Sequence, residues 1–340
     1  MASPAEVDAM RRAIAAARSA DAPVGPNPRV GCVLLDRAGH ELAVGHHRGA
    51  GTPHAEVDAL AQVGTAAAGA TAVVTLEPCA HVGRTGPCSQ ALIQAGVARV
   101  VIAQRDRSAE ATGGAQRLRA AGVDVETGVL EAEARSLNPL WTTAVERRRP
   151  FVTWKLAATL DGRVAAADGS SRWITGSAAR ADVHELRSVV DVVMVGTGTA
   201  VADDPQLTAR RPDGTLAGVQ PMRVVVGRRV LPSGVSLLDD AAPTQLFATH
   251  ALAEVLSALD DQGRHHVLLE GGPTLAAAFL RAGLVDRFVA YVAPTLLGSG
   301  PSVLGDIGIS SIDGALRLAV EDVVRLGDDV RITGTVAKEA

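Results

Sequence analysis

The sequence predicts an α/β protein built as two domains. Three observations carry this. The chain has 340 residues, more than one ordinary hydrophobic core accommodates. Apolar, β-rich runs alternate with helical stretches almost throughout, the pattern of a largely parallel sheet with helices on both faces. The alternation is interrupted at 146–150, where the chain reads ERRRP. On charge alone that run serves equally well as a solvated helix end. The fresh strand FVTWKLAAT that starts directly after it favours a linker, so the expected domains are 1–146 and 147–340.

The elements follow in order. The opening stretch MASPAEVDAMRRAIAAARSA reads as an amphipathic helix, with Val7, Met10, Ile14 and Ala17 on one face. RVGCVLLD (29–36) reads as a strand and RAGH as a turn, with a second strand around ELAVGHH. That short connection makes these two strands the expected antiparallel part. AEVDALAQVG then reads as a helix, ATAVVTLEP as a strand, CSQALIQAG as a helix, VARVVIAQ as a strand, GGAQRLRAAG as a helix and VDVETGV as a strand. Beyond the linker the strands are VVDVVMVG, MRVVVG, TQLFAT, HHVLLEGG, RFVAYVAP and DVRITGTV. Helices such as SAARADVHELRSV and PTLAAAFLRAG lie between them. No internal repeat relates the halves.

Composition narrows the function. Hydrophobic residues make up 47%, charged residues 21% and aromatic residues 2%, with a formal net charge of −4. Nucleic-acid binders cluster Lys and Arg and often add stacking aromatics, so no nucleic-acid partner is expected. No run of 18 apolar residues exists, so no membrane span is expected. Three cysteines cannot build a disulfide framework and point to a reducing compartment, the cytoplasm.

Two cysteines stand nine positions apart in TLEPCAHVGRTGPCSQAL (75–92), and TPHAEVDAL (52–60) precedes them. His54, Cys79 and Cys88 supply the three ligands a catalytic zinc needs, leaving one position open. His54 falls in the first turn of a helix, Cys79 follows a buried strand through Pro78, and Cys88 starts the next helix. A helix N-terminus stabilises a thiolate. Glu56 lies two residues beyond His54, placed to reach the water at the open position and carry its proton to a leaving group. The combination H-x-E with P-C is the signature of zinc deaminases, whose second cysteine normally follows after two residues; here eight intervene. Cys32, in the apolar strand VGCVLL, reads as a core residue.

The stretch EPCAHVGRTGPC, with GPNPRVGCV (25–33) and GTPHAEVDAL (51–60), resembles the family of bacterial bifunctional deaminase–reductases of riboflavin biosynthesis. The resemblance implies that the long loop carries His81 and Arg84 to the substrate's ribose and phosphate, and that Asn27 contacts the base or ribose. It also implies a three-layer α/β/α, cytidine-deaminase-like N-terminal domain. Two stretches depart from the pattern: TGPC at 85–88 replaces TPPC, and RDRSAEATGG at 105–114 replaces an Asp-Pro-Asn-Pro-like turn.

The second half carries its own motifs: VTWKLAATLDGRVA (152–165), GSSRWITG (169–176), VGTGTAVADDPQLTAR (195–210) and HHVLLEGGPTLAAAF (265–279). EGGPTLAAAF and GTGTAVADDP both read as Gly-rich loops whose N–H groups can face a phosphate. Neither meets the G-x-G-x-x-G fingerprint. In this order the motifs are similar to the reductase half of the same family, which implies a dihydrofolate-reductase-like α/β domain using NADPH. By that resemblance Ala158, Trp173, Thr199, Asp203 and the segment Gly272, Pro273, Thr274, Leu275, Ala276, Ala277 and Ala278 line the cofactor. Ser171, Arg187, Leu207, Arg210 and Glu270 hold the substrate, with Arg187 and Arg210 suited to its 5′-phosphate and Lys155 near the sugar. Asp203 and Lys155 are both candidates to assist the proton. No Arg pair can be assigned to a 2′-phosphate from spacing, so NADPH is implied by the resemblance.

The expected reactions are zinc-dependent deamination of 2,5-diamino-6-(5-phosphoribosylamino)pyrimidin-4-one, then NADPH-dependent reduction of its ribosyl chain. The expected cofactors are Zn2+ and NADPH. The expected partners are that small phosphoribosyl pyrimidine and further copies of this chain.

Overall fold

The computed structural model describes residues 1–19, 27–49, 51–80, 86–107 and 113–336. The chain divides into two compact units, Met1–Arg147 and Arg148–Ala340. The first contains α1 (Pro4–Ala17), β1 (Gly31–Leu35), β2 (Glu41–His46), α2 (Ala55–Val63), β3 (Thr71–Leu76), α3 (Cys88–Gln94), β4 (Arg99–Gln104), α4 (Gly114–Ala120), β5 (Asp124–Thr127), α5 (Glu131–Arg135) and α6 (Pro139–Arg147). The charged run at 146–150 is therefore in part the end of α6, and only 148–150 connect it to the next strand.

In this unit the described strands form one sheet in the order β2-β1-β3-β4-β5. Strands β3, β4 and β5 are parallel. Strand β1 is antiparallel to β2, as expected, and also to β3, because the tight turn reverses the chain and leaves β2 at the edge. Every residue of β1 is buried, and its side chains alternate between two cores. Cys32 and Leu34 join Val74, Leu92, Ile102 and Leu118 on one face; Val33 and Leu35 join Met10, Ile14, Val73 and Val101 on the other. This is a three-layer α/β/α sandwich, with Cys32 in its core. Helix α1 begins with a capping box, in which Ser3 accepts from the Glu6 N–H and Glu6 accepts from the Ser3 N–H.

The second unit contains β6 (Phe151–Thr159), α7 (Ser177–Ser188), β7 (Val192–Gly196), α8 (Thr197–Asp203), β8 (Met222–Val226), β9 (Thr244–Phe247), α9 (Leu252–Asp260), β10 (His266–Leu269), α10 (Pro273–Arg281), β11 (Arg287–Ala293), β12 (Leu318–Leu326) and β13 (Asp329–Val336). Its described strands form one sheet ordered β12-β13-β11-β6-β10-β7-β8-β9. The six from β11 to β9 are parallel, and β13 and β12 close the other edge as an antiparallel hairpin. Val152, Met194, Val224, Leu256 and Phe279 build the core on one face; Val193, Val195, Val225 and Leu268 build the core on the other.

Two features depart from the sequence reading. The segment read as a Gly/Thr-rich loop after β7 is the helix α8, begun directly from Gly196. Its Ala200 is fully buried against β7 and β8, so packing overrides the weak helix propensity of Gly and Thr. Strand β12 has no counterpart in the reading, since its side chains are exposed along most of its length and it shows no buried periodicity.

Helix α2 carries the first candidate site and lies close against β2. A Cβ on Gly45 would lie 2.3 Å from the Ala55 carbonyl oxygen and 2.5 Å from the Ala59 nitrogen, so only glycine allows this approach. Gly45→Ala is expected to destabilise the protein by about 1–3 kcal/mol through overpacking. Gly86→Ala, where the added methyl meets nothing within 4 Å, is expected to shift stability by less than about 0.5 kcal/mol. Denaturant midpoints of the two variants check this.

Candidate active sites

The first site lies where three elements of the N-terminal unit meet. His54 is the N-cap of α2, in extended conformation; Cys79 follows β3; Cys88 opens α3 behind Pro87. His54 Nδ1 lies 3.1 Å from Cys88 Sγ and 3.7 Å from Cys79 Sγ. All three donor atoms are within 4.8 Å of one another. Ligand bonds of 2.0–2.3 Å at tetrahedral angles put N and S donors about 3.5 Å apart, so the set fits zinc, with three ligands among the described residues.

Cys79 is held from several sides. The Cys88 N–H donates to its sulfur (3.3 Å). The wholly buried Ser89 donates to its carbonyl oxygen through both its hydroxyl (2.9 Å) and its N–H (3.2 Å). The preceding Pro78 carbonyl faces Gly114, where a Cβ would stand 1.7 Å away. One residue earlier, the buried Glu77 carboxylate accepts from the Ala115 N–H (2.8 Å) at the start of α4. The Cys88 thiol and then the His54 ring donate toward Cys79 and pull its pKa down to about 4, while the same contact raises Cys88. Of the two thiols, these contacts favour ionisation of Cys79 first.

Glu56, on the first turn of α2, is 3% exposed and faces the Cys88 thiol. Burial pushes its carboxyl up to about 7, against the opposing pull of backbone N–H donation and His54. Asn27 Nδ2 lies 3.0 Å from His47 Nε2. The His47 Nδ1–H donates to the Pro53 carbonyl (3.0 Å), and its ring packs edge-on to His54 with centroids 5.3 Å apart. His47 is thus fixed beside the ligand histidine. His81 and Arg84 lie outside the described residues, as does half of the departure at 105–114.

The second site is a cavity of about 740 Å3 in the C-terminal unit. Among its lining residues are all the expected substrate residues, Lys155, Ser171, Arg187, Leu207, Arg210 and Glu270, together with Trp173, Thr199 and Asp203. The parallel strands explain the convergence. Lys155 in the middle of β6 is level with Glu270, just past the end of β10, because Trp154 pairs with Leu269, and Thr199 follows the neighbouring β7, on the side where open α/β sheets bind ligands. Asp204 and Leu207 hold left-handed backbone (φ 39° and 52°) at the rim, the strained geometry that functional loops retain.

At its centre Glu270 accepts from Arg187 in a two-pronged pair (2.6 and 2.9 Å), and Lys155 Nζ stands 3.7 Å away. Burial works to raise the Glu270 carboxyl, but Arg187 and then Lys155 outweigh it and hold it at about 2. Burial pushes the Lys155 ammonium down, with Glu270 opposing. Burial likewise raises Asp203, against Arg172. Arg187 thus turns Nε and Nη2 to Glu270 and Nη1 to the Thr208 carbonyl, which leaves one N–H on each Nη. Arg210 donates to the Gly214 carbonyl (2.7 Å) and to Gln206 (2.6 Å). Trp173 is 70% exposed, with the Arg180 guanidinium 4.6 Å from its ring centre.

The Gly-rich segment has the expected form: Gly272 is the N-cap of α10 and Pro273 its first residue. The Gly272 N–H donates to Thr199 (3.1 Å), which joins this turn to α8. Gly272, Pro273, Thr274, Leu275 and Ala278 are at least partly exposed. Ala158, Ala276 and Ala277 are not: Ala276 lies in the hydrophobic core, and Ala158 and Ala277 are 4% and 2% exposed. Those alanine side chains have no free face: Ala276 and Ala277 are inward positions of α10 packed against the sheet, and Ala158 is buried within β6.

Residues 150–332 match the family described as the RibD C-terminal domain, and residues 4–104 match the cytidine and deoxycytidylate deaminase zinc-binding region. The riboflavin biosynthesis protein RibD of Mycobacterium tuberculosis is 51% identical over 310 residues, covering 91% of both chains.

The chain belongs to the RibD family.

RibD of Escherichia coli K12 is 38% identical, covering 94% of this chain and 96% of that one. The solved structure of Acinetobacter baumannii RibD superposes with a TM-score of 0.83 at 38% identity, covering 98% and 99% of the two chains. A deaminase/reductase from Thermotoga maritima gives 0.77 at 31% identity over the same shares. As a RibD-family member the protein is a bifunctional enzyme of riboflavin biosynthesis, a zinc-dependent deaminase and an NADPH-dependent reductase. The family match also agrees with the expected fold of both halves.

Ser89, Glu77, His47 and His184 escaped the sequence reading. Ser89, one residue after a ligand, had a positional signal; the others acquire meaning only through partners distant in sequence. Ser89→Ala is expected to weaken zinc binding about 10- to 100-fold, the usual effect of removing a residue that orients a ligand. Chelator competition on the purified protein measures it, with the melting curve of the zinc-loaded variant as a check on folding.

Proposed function

We propose that residues 1–146 deaminate 2,5-diamino-6-(5-phosphoribosylamino)pyrimidin-4-one hydrolytically, and that residues 147–340 reduce the ribosyl chain of the product to ribityl. One observation carries the first half: the His54, Cys79 and Cys88 donors converge, and Glu56 is buried beside them.

Zinc, held by those three side chains, supplies Lewis acidity that makes water nucleophilic at neutral pH. Glu56 takes the proton from the attacking water and delivers it to the amino nitrogen at C2, which leaves as ammonia while oxygen takes its place. A base and acid are one residue here, and its burial keeps bulk water from the proton in transit. Asn27, fixed by His47, is proposed to contact the base or ribose. His81 and Arg84 are proposed to hold the ribose and phosphate.

For the second reaction, NADPH supplies the hydride. The cradle proposed for it is Ala158, Trp173, Thr199, Asp203 and the 272–278 turn, with the backbone N–H groups at the start of α10 serving the phosphates; Ala276 and Ala277 can contribute only through their backbone. Glu270 keeps Lys155 oriented toward the sugar, and Arg187 keeps Glu270 ionised. Lys155 and Asp203 both stand in the cavity as candidates for the proton that accompanies the hydride. Ser171, Leu207 and Arg210 are proposed to hold the substrate.

The working assembly is proposed to be a homo-oligomer. Leu318, Val320 and Val323 on β12 are 46%, 59% and 61% exposed, an apolar sheet edge of the kind proteins normally cover. The three unpaired cysteines support a cytoplasmic location.

Glu56→Gln is expected to retain zinc and lower the deamination rate at least about 100-fold; zinc content and ammonia release are measured together, and a zinc-loaded variant with near wild-type turnover would sink the assignment. Glu270→Gln releases Lys155 and Arg187 from their shared charge. It is expected to lower NADPH oxidation at least about tenfold while ammonia release continues. Equal loss of both reactions would count against two separate sites.

A further inference from the structure

His184 is on α7, one turn before Arg187, and lines the same cavity. Its Nδ1 lies 3.1 Å from the Thr208 carbonyl oxygen, which also accepts from Arg187 (3.2 Å). A carbonyl oxygen only accepts, so Nδ1 carries the hydrogen and, in the neutral ring, Nε2 carries the lone pair. Nε2 has no partner among the described residues and is not among the buried, unsatisfied atoms, so it is accessible on a residue that lines the cavity. The ring is thus held by one nitrogen and presents the other.

The surroundings favour an anion. Five cationic side chains line the cavity, Lys155, Arg172, Arg180, Arg187 and Arg210, against the three carboxylates Asp203, Asp204 and Glu270. Glu270 is already matched by Arg187, and Asp204 accepts from the Ser236 N–H and hydroxyl. Arg187 uses its fork on Glu270, and Arg210 uses two of its N–H groups on Gly214 and Gln206. Arg187 keeps two N–H groups and Arg210 three, and His184 brings a further nitrogen to the same cavity.

We propose that His184 is a further ligand of the substrate's 5′-phosphate, donating from Nε2 as an imidazolium, so that phosphate binding at the reductase site takes up a proton. This rests on the phosphoribosyl reading of the cavity. A lone pair facing a phosphate dianion repels it; a proton on Nε2 turns that repulsion into a charge-assisted hydrogen bond. In the free enzyme burial lowers the His184 pKa, and Arg187 and Arg210 lower it further, against the Thr208 carbonyl and Glu270. The charged and titratable groups that line the cavity with it are Arg180 and Arg187 on its own helix, Arg172 before α7, Asp203, Asp204 and Arg210 from the chain around α8, Glu270 after β10, Lys155 on β6 and Tyr291 on β11. These surroundings favour the neutral ring in the free enzyme, and a bound dianion raises its pKa. The gain in affinity is present at low pH and lost as pH rises through the pKa of the complex.

The test is titration calorimetry of the whole protein with ribose 5-phosphate and with ribose. It is run near pH 7.5 in two buffers of different ionisation heat, where the phosphomonoester, with a second pKa of about 6, is already dianionic. The wild type is expected to prefer ribose 5-phosphate over ribose and to take up a fraction of a proton. His184→Ala is expected to lose about tenfold in ribose 5-phosphate affinity, the effect of one charge-assisted bond. His184→Gln, whose amide donates without titrating, is expected to keep much of the affinity and lose the proton uptake. NADPH affinity unchanged in both variants confirms an intact fold. Proton uptake that persists in His184→Gln, or wild-type affinity in His184→Ala, overturns the proposal. A wild type that does not distinguish ribose 5-phosphate from ribose overturns the phosphate reading of the cavity itself.

Discussion

An ionised group can be buried only where opposite charge or converging N–H donors meet it, and each unit of this protein is organised around one such group. In the N-terminal unit it is the thiolate of Cys79. The beginning of α3 supplies N–H and hydroxyl donors to its sulfur and its carbonyl, and the beginning of α4 fixes the preceding residues through Glu77 and Gly114. The position of the sulfur then follows from how two helices start, and so does its distance from His54. In the C-terminal unit the buried group is Glu270, clasped by Arg187 and faced by Lys155.

The two centres solve the same problem with different chemistry. A thiolate matched by hydrogen-bond donors and an imidazole still lacks a full positive charge, which is what a divalent metal supplies. A carboxylate matched by a guanidinium needs no metal, and the surplus positive charge remains available as Lys155. The first arrangement suits activation of water, the second orientation of a phosphorylated sugar beside a hydride donor. Both depend on parallel strands ending at a common edge, since that topology gathers side chains far apart in sequence.

Part of the molecule was legible in residue order alone. His54, Glu56, Cys79 and Cys88 could be grouped because zinc chemistry restricts ligand types and spacing. The strand 29–36 could be placed because a buried strand reads as a continuous apolar run, and 151–159 because its β-rich run begins directly after Pro150. The antiparallel placing of β1 against β3 could not, because pairing beyond a hairpin is a matter of sheet topology. The helix α8 could not either, because burial of Ala200 outweighs the propensity of the Gly and Thr around it.

What the sequence determined by itself was which chemistry the chain can carry: metal-binding residue types at metal-binding spacing, a nearby carboxylate, and glycine turns between strands and helices. What only the tertiary structure decided was how each charged side chain is used. Arg187 reads as a phosphate ligand along the chain but lies against Glu270 in space. His184 reads as one polar position on an amphipathic helix until the Thr208 carbonyl fixes its tautomer and leaves Nε2 accessible on a residue that lines a cationic cavity. Residue type sets what a group can do, but electrostatic energy falls with distance and depends on burial, and both are properties of the folded chain.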